Sequence, residues 1–126
     1  MGQADSISPQ RTRPRVLLVE GDDGVRRSLH LLLHGSGYDV RSYSAAGPLL
    51  YDPGIGDAAF LVSAHQLPDS DGLDVRFALR EAGWRGRSVL ITAHATDHLR
   101  EAARAAGYDA VLEKPLRPRE LIGELA

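Results

Sequence analysis

At 126 residues the chain has the length of one ordinary domain, and its 43% hydrophobic content suits a soluble globular core. Seventeen acids against 15 bases leave a net charge of −2, so nothing points to a nucleic-acid surface. The absence of cysteine excludes disulfides, a thiolate nucleophile and cysteine-ligated metal.

No apolar run approaches the roughly 18 residues of a membrane span. The first 14 residues are too polar for a signal peptide, so a cytoplasmic protein is expected. Residues 1–14, rich in Ser, Gln, Arg and Pro, read as a disordered tail before a domain over residues 15–126. Met1-Gly2-Gln3-Ala4-Asp5-Ser6 formally fits an N-myristoylation signal. The motif is loose, and a chance match in a flexible tail is the plainer account.

Val16-Leu17-Leu18-Val19 is a buried-strand run that exits at Glu20. Asp22 or Asp23 caps the next helix, which carries Val25, Leu29, Leu32 and Leu33 on one face and stops at Gly37. Val40 to Tyr43 is a second, weaker strand. Gly47, Pro48, Pro53, Gly54 and Gly56 then leave room for only a turn or two of helix around Leu49, Leu50 and Tyr51. Phe60 to Ser63 forms the third strand, with Ala64 at its end and a loop punctuated by Pro68, Asp71 and Gly72 beyond it. Leu73, Phe77 and Leu79 place a helix from Gly72 to Ala82, stopped at Gly83. Val89 to Thr92 is the fourth strand, and Asp97 to Ala106 an Ala-rich helix stopped at Gly107. Ala110 to Leu112 is the fifth strand, exiting at Glu113-Lys114-Pro115, and Pro118 opens a last helix carrying Leu121, Ile122 and Leu125.

Five strands alternating with five helices, joined by right-handed crossovers, imply an α/β fold. The expected architecture is a doubly wound five-stranded parallel sheet of flavodoxin-like order 2-1-3-4-5, with helices on both faces. Ligands of such sheets sit just past the carboxyl ends of the strands. Glu20, Ala64, Thr92 and Lys114 each terminate a strand and so meet at one rim. An acid, a hydroxyl and an ammonium converging there suit an anion or a phosphoryl group.

The chain from Arg15 to Ala126 resembles the receiver domains of two-component response regulators, most of all those that feed transcriptional output. The resemblance is carried by Val16-Leu17-Leu18-Val19-Glu20, Val25-Arg26-Arg27, Gly37-Tyr38-Asp39-Val40, Leu67-Pro68-Asp69-Ser70-Asp71-Gly72-Leu73, Ile91-Thr92-Ala93 and Glu113-Lys114-Pro115. It implies two acids after the first strand that hold magnesium with an aspartate ending the third. That aspartate takes a phosphoryl group from a histidine kinase, and a hydroxyl after strand four and a lysine after strand five bind the phosphoryl oxygens. Matched by position, Thr92 and Lys114 are present and Glu20 fills the first acid position. Gly21 stands where the second acid, a metal ligand, belongs, and Ala64 where the phosphoacceptor belongs. Val111 stands where many receivers carry a switching aromatic, and the Lys114-Pro115 bond is usually cis in the family.

Alanine offers neither a nucleophile nor an oxygen to a metal. Only Glu20, with Asp22 in support, remains for magnesium, which is bound through carboxylates, water and phosphate. No cofactor is therefore expected, and magnesium binding is expected to be weak or absent. Three carboxylates in one pocket repel by roughly 3 kcal/mol per pair at about 5 Å and an effective dielectric near 20. Here most of that repulsion is missing and Lys114 can pair with Glu20.

His65 and His94 are placed at the pocket mouth, where solvated loop histidines are the plain reading and pH sensing or metal binding the sharper one. His30/His34 and His94/His98 also have i, i+4 spacing, with no third ligand in view.

The resemblance implies no enzymatic reaction. It points to a degenerate receiver acting through phosphorylation-independent protein–protein interaction. The partner would be a histidine kinase, a response regulator or an output domain, or a second copy met through the fourth helix, fifth strand and fifth helix. Leu99, Arg100, Arg104, Val111 and Arg119 mark that face. Two alternatives are phosphotransfer through a substitute acceptor (Asp69, Asp71, Ser63 or His65) and binding of a small anion or other ligand in the vacated pocket. DNA binding lacks both a basic stripe and a reading helix.

Overall fold

A computed structural model describes residues 13–126. The expectations for the tail and its acylation motif lie outside the described residues, apart from Arg13 and Pro14. The Pro14 carbonyl accepts from the Asp39 N–H at 2.9 Å.

The strands are β1 (Arg15–Val19), β2 (Asp39–Tyr43), β3 (Phe60–Ala64), β4 (Arg87–Thr92) and β5 (Ala110–Glu113). They form one parallel sheet in the order β2-β1-β3-β4-β5, the flavodoxin-like order expected. The helices are α1 (Asp23–Gly35), α2 (Ala46–Leu50), α3 (Gly72–Glu81), α4 (Asp97–Ala106) and α5 (Pro118–Leu125), with a 3-10 turn at Pro53–Asp57 after α2. The Gly- and Pro-rich crossover yields the short, irregular element its composition predicts. β4 starts two residues before the apolar run, because the amides of Arg87 and Ser88 are both bonded, to Ala59 O at 3.0 Å and Asp109 Oδ2 at 2.8 Å.

The pleat divides the core. Val16 and Leu18 of β1 face α1 and α5 with Leu29, Leu33, Leu121 and Leu125. Leu17 and Val19 face α2, α3 and α4 with Leu49, Val75, Leu79, Leu99 and Ala103. Both faces are covered, which is why the strands read as continuous apolar runs. Gly37, Gly83 and Gly107 all take positive φ, so the recurring glycine stops are left-handed helix ends.

On α3 the apolar letters mislead. Phe77 is 54% exposed, whereas Arg76 is 7% exposed. The Arg76 guanidinium lies over the Trp84 ring, 5.1 Å from its centroid, and its Nε–H donates to Ser88 Oγ at 2.9 Å. A cation on an indole face with a hydroxyl partner can be buried where a bare charge cannot. Leu99, expected on the pairing face, packs into the core instead, at 7% exposure.

Candidate functional site

The strand ends build the site. Glu20, first past β1, is 4% exposed. Its Oε1 accepts from Lys114 Nζ at 3.1 Å and its Oε2 from the Asp22 N–H at 2.9 Å. The Arg26 guanidinium donates to the Glu20 carbonyl rather than to the carboxylate, at 2.9 Å. Lys114 is fixed from below, its N–H donating to Thr92 O at 2.8 Å, and the Lys114–Pro115 peptide is cis. The ammonium is therefore already engaged by a buried carboxylate, and the charge it offers to an arriving anion is largely neutralised.

Ala64 closes β3 at 4% exposure, and its methyl lines a cavity of about 520 Å³ that Thr92, Lys114, His65 and His94 also line. Thr92 Oγ1 accepts from the His94 N–H at 3.2 Å and lies 3.4 Å from both His65 Nδ1 and His94 O. His65 Nε2 lies 3.8 Å from Asp71 Oδ2. Gln66, Leu73, Thr96, His98 and Ala102 complete much of the wall.

Asp22 sits elsewhere. It caps α1, accepting from the Val25 N–H at 2.9 Å, and lines a neighbouring groove between α1 and the start of α5. Lys114 borders both spaces. Gly21 has no room to spare: a Cβ there would lie 3.1 Å from Pro68 Cδ. The histidine pairs do not make metal centres. His30 Nδ1 meets Ser42 Oγ at 2.6 Å and its ring stacks on His34. Among the described residues, no group of three or more His, Asp, Glu or Cys is placed to hold a metal ion.

Three of the four candidate substitute acceptors are occupied. Asp69 caps α2 from across the fold, its two oxygens accepting from the Ala46 and Gly47 N–H groups at 2.9 Å each. Asp71 caps α3 through Leu73 N at 2.6 Å. Ser63 is fully buried and donates to Ala64 O at 2.9 Å.

Sequence reasoning missed Tyr108, whose hydroxyl donates to Gly72 O at 2.6 Å, and Glu113, whose Oε2 accepts from Ala95 N at 3.0 Å and ties the β4–α4 loop to β5. The aromatic after the Gly107 stop was visible. Its partner, 36 residues away, was not.

The capping carboxylates set an acid limit. The Gly47 and Ala46 N–H groups hold the Asp69 carboxyl below the ordinary range. The Tyr43 hydroxyl and the Gly54 N–H do the same for Asp52. A depressed carboxyl contributes stability above its unfolded value of about 4 and loses it as pH falls. Burial, then the Asp52 hydrogen bond, pushes the Tyr43 phenol up to about 12, so its contribution is lost as pH rises from 10 toward that value. Urea midpoints are therefore expected to fall below about pH 4, with Asp69→Ala flattening that acid limb. An acid limb unchanged in Asp69→Ala would remove Asp69 from this account.

Comparison with known proteins gives one consistent answer. A sequence model described as the response regulator receiver domain matches residues 16–126. The response regulator protein TodT of Pseudomonas putida is 27% identical over 110 residues, covering 87% of this chain and 48% of TodT. The transcriptional regulatory protein AruR of Pseudomonas aeruginosa is 34% identical over 114 residues, covering 86% of this chain and 46% of AruR. The chain thus spans about half the length of these relatives. Among solved structures, the CheY-like receiver domain protein of Methanospirillum hungatei superposes with a TM-score of 0.79 at 25% identity, over 90% of this chain and 91% of that one. Chemotaxis protein CheY4 of Vibrio cholerae gives 0.85 at 20% identity, over 90% and 97%.

Proposed function

Because this chain belongs to the response regulator receiver domain family of two-component signalling, we propose that it is a receiver working without a phosphoryl switch. Its output would be protein–protein interaction, and it would catalyse no reaction of its own. The observation that carries this reading is Ala64, whose methyl group stands at the end of β3 beside Thr92 and Lys114. The acceptor position supplies no oxygen for phosphoryl transfer.

Two further features support it. Lys114 already has a carboxylate partner in Glu20, so the pocket is electrostatically settled without a cation. The nearby acids are spent on helix caps, which removes Asp69 and Asp71 as convenient substitutes. With Gly21 in place of a second acid, magnesium has Glu20 alone at the strand ends, and its binding is weak or absent.

The partner under this reading is a histidine kinase, another response regulator or an output domain. A second copy would meet the face of α4, β5 and α5, where Arg100, Arg104 and Arg119 are exposed and Arg100 is anchored on Val111 O at 3.3 Å.

The test is incubation with acetyl phosphate and magnesium, read by intact mass, beside a thermal melt with and without millimolar magnesium. The expected results are an unchanged mass and an unchanged Tm. A phosphoryl adduct mapped to a residue of this pocket, or a magnesium-dependent rise of several degrees, would end the proposal.

A further inference from the structure

The cavity over Ala64 is lined by two chemical classes of group. Thr92, Thr96, Lys114 and the histidines His65, His94 and His98 supply hydroxyl, ammonium and imidazole groups. Leu73, Leu99, Ala102 and the Ala64 methyl supply apolar surface. No carboxylate lines it, although the chain carries 17 acids. At about 520 Å³ it falls in the range of small-molecule sites, which combine apolar walls with a few placed polar groups.

Charge narrows the ligand class. Glu20 already balances Lys114, so the polar lining presents donors with little net positive charge. A dianion would remain undercompensated there, whereas a monoanion needs only the hydroxyl and imidazole donors. The hydroxyl of Thr92 is suited to the task, because its acceptor contacts at His65 Nδ1 and His94 O are long, at 3.4 Å each. An anion without an apolar body would leave the Leu73–Leu99–Ala102 wall wet.

We infer that this cavity binds a small organic carboxylate with a compact apolar body, its carboxylate at Thr92 and its body against Leu73, Leu99 and Ala102. The inference rests on the silent-receiver reading, since a phosphoryl group on this pocket would compete for the same donors. Bound ligand would bridge the β3–α3 loop and the first turns of α4, and so couple occupancy to the partner-facing side of α4.

The test is a titration of the isotope-labelled full chain, followed by amide resonances, with benzoate, acetate and benzyl alcohol as probes. Benzoate is expected to shift Ala64, Leu73, Thr92 and Leu99 saturably. Acetate, lacking the body, and benzyl alcohol, lacking the charge, are expected to bind at least about tenfold more weakly. Ala102→Phe, which fills part of the cavity from a half-buried position, is expected to weaken benzoate by about tenfold or more, and Thr92→Val to weaken it without filling space. If Ala102→Phe does not fold, Thr92→Val alone decides. No saturable shift with benzoate, acetate matching benzoate, or unchanged affinity in the folded variants would overturn the inference. A phosphoryl adduct in the mass experiment sinks the silent receiver instead, so the two failures are distinguishable.

Discussion

Ala64→Asp is expected to take up one phosphoryl group from acetyl phosphate and magnesium where the native chain takes none. The new carboxylate would project from the end of β3 into the cavity lined by Thr92 and Lys114, the donors that remain for phosphoryl oxygens. Without metal it would face the Glu20 carboxylate. That repulsion is about 3 kcal/mol at a separation near 5 Å and an effective dielectric of about 20, with Lys114 offsetting part of it. The variant should therefore be less stable than native protein by about 1–2 kcal/mol in chelator and regain stability with magnesium. Gly21→Asp on top of it adds the second acid and should speed the reaction, at the cost of moving Pro68, whose Cδ lies 3.1 Å from where the Cβ would sit. Intact mass and a chelator-versus-magnesium melt measure both effects. If neither folded variant gains mass, position 64 is not the vacated acceptor position and the proposed function fails with it.

The second large effect is structural. Gly72→Ala is expected to destabilise by about 3 kcal/mol or more. A Cβ at Gly72 would run into the Ala64 carbonyl oxygen and lie 2.8 Å from Leu90 Cδ1 and 3.1 Å from Ser63 Oγ. The obstructing oxygen is backbone and cannot swing aside. Gly72 cannot retreat either, because its N–H donates to His65 O at 2.7 Å and its carbonyl accepts the Tyr108 hydroxyl at 2.6 Å. The control is Gly35→Ala at the exposed end of α1, where no heavy atom lies within 4 Å of the new Cβ. That change should stabilise by about 0.5–1 kcal/mol through helix propensity and unfolded-chain entropy. Urea denaturation of the pair is the measurement. A Gly72→Ala variant within 1 kcal/mol of native would refute the close-approach account.

The same glycine marks a limit of reading from letters. In the sequence Gly72 is loop punctuation, and only the packing of α3 against the end of β3 turns it into a contact that excludes a methyl group. Asp69 behaves alike. Its place after Pro68 suggests a local turn or cap, yet it caps α2, 22 and 23 residues earlier in the chain. On α3 Phe77 faces solvent and Arg76 is buried, because Trp84 and Ser88 offer the guanidinium a surface that no periodicity records.

By itself the sequence determined the alternation of strands and helices, the bounds of the strands and of the longer helices to within two residues, and the rim at which Glu20, Ala64, Thr92 and Lys114 meet, with the Glu20–Lys114 pair and the Asp22 cap. Those features follow from local runs of apolar residues, glycine stops and the geometry of a parallel sheet, whereas the 2-1-3-4-5 order comes from the known doubly wound topologies. The tertiary structure alone decided pairings that the letters did not announce: Gly72 for Tyr108, the Ala46 and Gly47 amides for Asp69, the Ala95 amide for Glu113. Those pairings join residues 18 to 36 positions apart, and at that separation the chain's order carries no distance information until the core has closed.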